Sequence, residues 1–94
     1  MLKVCIQGLG FVGAAMATAV SSRLDKNKKP LYNVMGVDLN NSQGMARVDS
    51  INNGEFPFPS NDKKLLNEIK KSYSRGNLKA SSSNHHFKDA DIIL

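Results

Sequence analysis

Gly8, Gly10 and Gly13 lie within one stretch of six residues in "KVCIQGLGFVGAAMATAV", residues 3–20, where an apolar run gives way to an alanine-rich one. Glycine weakens strands and helices alike, so three of them so close together require a backbone reason. The preceding "LKVCIQ", residues 2–7, reads as a strand, because β-branched and apolar residues run up to a glycine turn. Residues 11–23, built largely of Ala, Val and Met, read as a helix that is apolar around most of its circumference, which predicts burial against a sheet. Between strand and helix, the pattern G-x-G-x-x-G has a mechanical reading. Gly8 permits the tight turn out of the strand, Gly10 leaves no side chain where a pyrophosphate approaches the backbone, and Gly13 lets the helix pack closely on the strand. The amides at the helix start, those of Phe11 and Val12 among them, then face an anion with the positive end of the helix dipole behind them.

The rest of the chain continues the alternation. A polar turn, "LDKNKKP", leads to a second strand candidate, "YNVMGVDL", which ends at Asp38. "NSQGMARVDSINNG" reads as a short helix with Met45, Val48 and Ile51 at helical spacing and Asn53-Gly54 as its stop, although Gly44 in the first turn leaves the start open. "EFPFPS" is extended, because its two prolines fix φ and bias Phe56 and Phe58 away from helix. In "SNDKKLLNEIKKSYSRGN", Ser60, Asn61 or Asp62 can cap a helix that puts Leu65, Leu66, Ile69 and Tyr73 on one face and ends at Gly76. "LKASS" is a short third strand, "NHHFKDA" a turn or helical turn, and "DIIL" opens a fourth strand. The order β-α-β-α-α-β-β predicts an α/β fold, a doubly wound parallel sheet with helices on its faces. Right-handed crossovers place the second and third strands to one side of the first and the fourth on the other.

Asp38 gives the glycines their partner. It closes the second strand 25 residues beyond Gly13, where a dinucleotide fingerprint expects an acid roughly 20 residues on, and the polar insertion accounts for the extra length. A carboxylate there accepts hydrogen bonds from the adenosine ribose hydroxyls and repels a 2′-phosphate. Leu39, Asn40 and Asn41 follow it with no arginine among them, so NAD is favoured over NADP. The same residues also admit a plain glycine turn with an unrelated surface aspartate.

Composition narrows the classes. The 94 residues suffice for one domain, and 40% hydrophobic with 22% charged residues suits a folded chain rather than a disordered tail. No apolar run approaches the roughly 20 residues of a membrane span, the N-terminus does not read as a secretory leader, and a single cysteine fits a reducing compartment, so the cytoplasm is expected. The net charge of +5 comes from lysines in "DKNKKP" and from Lys63 to Lys79, not interleaved with aromatics, which argues against nucleic acid. Cys5 lies inside the first strand and reads as a small buried hydrophobe rather than a nucleophile. His85 and His86 should project apart, and with no further ligands they read as turn residues, not a metal site. The lysine face of the 62–75 helix is solvated, or attracts a phosphate or a partner. Phe56 and Phe58 either pin the extended link to the sheet or dock a second domain.

Four stretches together, "KVCIQGLGFVGAAMA", "VMGVDL", "RVDSINNGEFPF" and "GNLKASSSNHHFKDADIIL", make the chain resemble the N-terminal NAD-binding domain of the UDP-glucose/GDP-mannose dehydrogenase family, the nucleotide-sugar 6-dehydrogenases. A helix ending in I-N-x-G before an acidic, proline-containing link is the specific part, and the likeness covers nearly the whole chain. The resemblance implies a partial Rossmann-type sheet over residues 1–94, ending in its fourth strand, with the substrate domain absent. It implies NAD as cofactor, with Gly8, Gly10, Phe11, Val12 and Gly13 around the pyrophosphate, Asp38 on the adenine ribose, and Arg47 as the basic residue beside that ribose. The spacing from Asp38 to Arg47 exceeds the usual five residues, with "SQGM" inserted, and the link departs from the usual proline, tyrosine, glutamate, proline and glycine run. For the whole enzyme the resemblance implies a homo-oligomer of polysaccharide biosynthesis. It would oxidise the C6 hydroxyl of a UDP-sugar to a carboxylate with two NAD, through a thioester on a cysteine. The catalytic cysteine, lysine and asparagine correspond to positions beyond Leu94, so no catalytic residue maps here, and the chain reads as part of a longer enzyme. A stand-alone nucleotide-binding or regulatory module, or another Rossmann dehydrogenase, are the alternative readings.

Overall fold

The computed structural model describes all 94 residues. Its elements are β1 (Leu2–Gln7), α1 (Phe11–Ser21), β2 (Tyr32–Val37), α2 (Ser42–Ile51), α3 (Lys63–Arg75), β3 (Leu78–Ser81), a 3-10 segment (Asn84–Asp89) and β4 (Ile92–Ile93). The sheet is parallel throughout in the order β3-β2-β1-β4, the arrangement that right-handed crossovers predict. In register, Val4 lies opposite Val34, and Val34 opposite Leu78. No helix is long and apolar enough to cross a membrane.

Alternation along the strands decides which face is core. Val4 and Ile6 of β1, Val34 of β2, and Leu78 and Ala80 of β3 join Ala14 and Ala17 of α1, Val48 and Ile51 of α2, and Ile69 of α3 in one buried cluster. Cys5 points to the opposite face, where its thiol donates to the carbonyl of His86 at 3.2 Å in the 3-10 segment. Burial and the nearby Asp89 charge push the Cys5 thiol up, which agrees with an inert structural side chain.

Four expectations shift. Helix α1 ends at Ser21 rather than residue 23, and the hydroxyls of Ser21 and Ser22 both donate to the Thr18 carbonyl, at 3.1 and 2.6 Å, as the helix unwinds. Its apolar circumference is not uniformly buried. Small residues (Ala14, Ala17, Thr18, Ser21) form the packing face because they allow close approach, while Phe11, Val12 and Met16 stand exposed. Tyr73 leaves the core face of α3 for the surface, where its ring lies against Gly54. His85 and His86 do not diverge either, since the 3-10 segment brings their ring centroids to 4.0 Å.

Helix ends follow local chemistry. Asn41 caps α2 by accepting the Gly44 N–H at 2.8 Å, Asp62 caps α3 by accepting from Leu65, and Gly76 ends α3 in the left-handed conformation. The residue after α2 does something further. Asn52 donates to the Ala80 carbonyl and accepts the Ala80 N–H, both at 2.9 Å, so its carboxamide satisfies the two backbone groups of Ala80, which turn away from β2. Asn52→Ala leaves that part-buried pair without partners. The expected loss is about 1–3 kcal/mol, read as a lower denaturation midpoint.

Candidate cofactor site

The glycine turn is built as the spacing predicts. Gly8 has φ of +89°, a conformation few other residues adopt, and its N–H donates to the Val37 carbonyl at 2.8 Å, tying the turn to the end of β2. A Cβ on Gly13 would stand 1.9 Å from the Gly8 carbonyl oxygen, so α1 touches the turn backbone to backbone. Gly10 is different. Its φ and ψ are ordinary, and a Cβ there meets nothing within 4 Å, so the space above it is open.

That open space faces unsatisfied donors. The first backbone bond of α1 runs from the Ala14 N–H to the Gly10 carbonyl at 2.8 Å, and the N–H groups of Phe11, Val12 and Gly13 have no acceptor. No side chain caps this helix start and no acidic residue stands in its first turn. Free amides at the positive end of a helix dipole favour an anion.

Asp38 follows β2 and is anchored beside the turn. Its carboxylate accepts the Leu39 N–H at 2.7 Å and the Leu9 N–H at 2.9 Å, and the Arg47 guanidinium stands 3.5 Å away. The Asp38 side chain is 7% exposed and that of Arg47 30%. Burial alone would raise the carboxyl pKa, but the Leu39 and Leu9 donors and Arg47 outweigh it and hold Asp38 below the usual carboxylate range. An ionised acceptor therefore waits at the strand end. The Leu9 contact lay outside the sequence reading. Leu9 is the residue between the first two glycines, with its side chain fully buried so closely on Gly36 that a Cβ there would come within 2.5 Å of it. A glycine inside a strand was the available signal of that close approach.

Arg47 reaches Asp38 in spite of the longer spacing. The inserted "SQGM" forms the first turn of α2, and four residues of helix return a side chain to within about 40° of the same face. The guanidinium also lies over the Phe58 ring, 5.5 Å from its centroid. Phe58 in turn meets Phe11 and Phe56 at centroid distances of 5.9 and 6.1 Å, and Phe11 meets Phe56 edge-on at 5.4 Å. The extended link is thus pinned to the start of α1 and to Arg47 as well as to the core. On the other side of Asp38, a cleft of about 280 Å³ opens between Gly8, Val37, Leu39, Asn84 and Phe87.

Against this geometry, the sequence profile of the UDP-glucose/GDP-mannose dehydrogenase family, NAD binding domain, matches residues 2–94. The chain belongs to that family. Its cofactor is accordingly NAD, and the open Gly10 and free amides of α1 fit a dinucleotide. Among solved structures, this family member is similar to NDP-N-acetyl-D-galactosaminuronic acid dehydrogenase from Methanosarcina mazei Go1, with a TM-score of 0.83 and 19% identity over 99% of the chain. It is similar to GDP-mannose dehydrogenase from Pseudomonas aeruginosa, seen in a ternary complex, at a TM-score of 0.75 and 26% identity over 96% of the chain. It is also similar to the UDP-N-acetyl-mannosamine dehydrogenase Cap5O from Staphylococcus aureus, at 0.67 and 22% over 97%. In each case the chain spans 18% of the length of the solved protein. No curated protein matches it in sequence.

Proposed function

We propose that this domain serves a nucleotide-sugar dehydrogenase by holding NAD across the glycine turn. The pyrophosphate lies over Gly10 and accepts from the amides of Phe11, Val12 and Gly13, with Gly8 and Gly13 shaping the turn. Asp38 accepts the adenosine ribose hydroxyls, Arg47 lines the same end, and the cleft beside Leu39 and Phe87 receives the base. NAD supplies the hydride acceptor. The residues of this chain bind and orient it, while the groups that act on the sugar come from other parts of the enzyme. The reaction we infer for that whole enzyme is oxidation of the C6 hydroxyl of a UDP-sugar to a carboxylate with two NAD. It acts as a homo-oligomer in the cytoplasm, supplying polysaccharide biosynthesis. The family match and the nucleotide-sugar dehydrogenases among its structural relatives support this reading.

One observation carries the cofactor geometry. The acceptor-free amides above open Gly10 and the anchored Asp38 carboxylate stand at neighbouring strand ends, where a pyrophosphate and a ribose are joined in one molecule. Calorimetric titration with NAD and NADP tests it. Asp38→Ala should weaken NAD about tenfold or more, the scale of a hydrogen bond to a charged group, and narrow the preference over NADP. Unaltered affinity and selectivity would remove Asp38 from the site.

A further inference from the structure

The aromatic link raises a separate matter, resting on the NAD reading above. Arg47 is a long side chain whose ordering forfeits rotamer entropy, and a 3.5 Å contact with Asp38 is a weak hold for it. A second hold is present in Phe58, whose ring centroid lies 5.5 Å from the guanidinium carbon, within cation–π range. The ring is itself fixed twice over. Phe11 and Phe56 meet it at 5.9 and 6.1 Å, and Pro57 and Pro59 on either side restrict its backbone.

We propose that Phe58 is the positioning residue for Arg47, holding a cation at the ribose end of the cofactor site so that Asp38 alone bars NADP. Two opposite charges then face the ribose 2′ position. A 2′-phosphate brings close to two negative charges, which the ionised, nearly buried Asp38 repels. The planar, always-charged fork of Arg47 suits that phosphate once the carboxylate is gone. The domain thus carries its second specificity ready-made, masked by one carboxyl group.

The test is equilibrium binding of NAD and NADP, by calorimetry, to the whole enzyme that carries this domain and to its Asp38→Asn, Asp38→Asn with Phe58→Leu, and Asp38→Asn with Phe58→Tyr variants. Asp38→Asn should bind NADP about tenfold or more tighter than the parent does, the scale of one charged contact. Adding Phe58→Leu should remove about fivefold of that gain, the scale of a partly exposed cation–π contact, with a smaller effect on NAD. Phe58→Tyr keeps the ring and should keep the gain. A uniform loss on both dinucleotides would mark Phe58 as merely structural and overturn the proposal, as would an NADP gain indifferent to Phe58→Leu. If Phe58→Leu fails to fold, Arg47→Lys in the Asp38→Asn background replaces it, since lysine keeps the charge and loses the stacking plane. Full retention of the NADP gain in that variant also overturns the proposal. A parent enzyme that binds neither dinucleotide defeats the underlying NAD reading, whereas failure of the Phe58 proposal leaves Asp38-dependent NAD binding in place.

Discussion

Gly13→Ala is expected to cost this domain about 3 kcal/mol or more, a large share of the roughly 5–15 kcal/mol that a domain of this kind holds. The added methyl would stand 1.9 Å from the Gly8 carbonyl oxygen, a backbone atom that cannot swing aside as a flexible side chain can. Relief requires α1 to lift from β1, and lifting it unpacks Ala14 and Ala17 from the core. Thermal unfolding followed by circular dichroism checks this, with an expected drop of about 12 °C or more. A drop of a few degrees would mean that α1 is less tightly seated than its contact with the turn implies.

Gly10 separates binding from folding, and its substitution has the second large effect. A Cβ on Gly10 meets nothing within 4 Å, and its backbone is in a region open to any residue. Gly10→Val should therefore fold, losing about 1 kcal/mol or less through the poorer helix cap. It should weaken NAD roughly a hundredfold, because the branched side chain fills the space through which the pyrophosphate reaches the α1 amides and displaces several hydrogen bonds to a charged group. Gly10→Ala, with one methyl, should fall between the two. Titration of each folded variant with NAD decides the matter, and normal affinity in Gly10→Val would place the pyrophosphate elsewhere.

The strand order, the two ends of α3 and the glycine turn are legible in the chain because each follows from local sequence and the crossover rule. Asp62 caps the helix it precedes, Gly76 ends it, and the crossover rule then leaves one strand order. What escaped were contacts made across the fold. Leu9 supplies an amide to Asp38 through a turn whose glycines drew the attention, and Phe58 meets Arg47 only because the link folds back over α1. The extra residues before Arg47 act through the helix they form. Counted along the chain they add distance, whereas wound into α2 they add one turn and restore the same face. The exposure of Val12 and Met16 is not legible in the sequence, because hydrophobicity does not mark the packed side of α1. Size marks it instead, with alanines and hydroxyl residues lying against the sheet.

The Asn52 carboxamide also occupies part of the outer margin of β3. An unpaired strand margin is a template on which a second polypeptide can add itself, the route to sheet-mediated aggregation. At Ala80 the donor and acceptor that such an intruder needs are already engaged by a side chain tethered one residue past α2. Because the tether keeps the amide at high local concentration, a free peptide competes against an intramolecular partner. The residue that occupies the outward groups of Ala80 therefore also hinders strand addition at that point of β3.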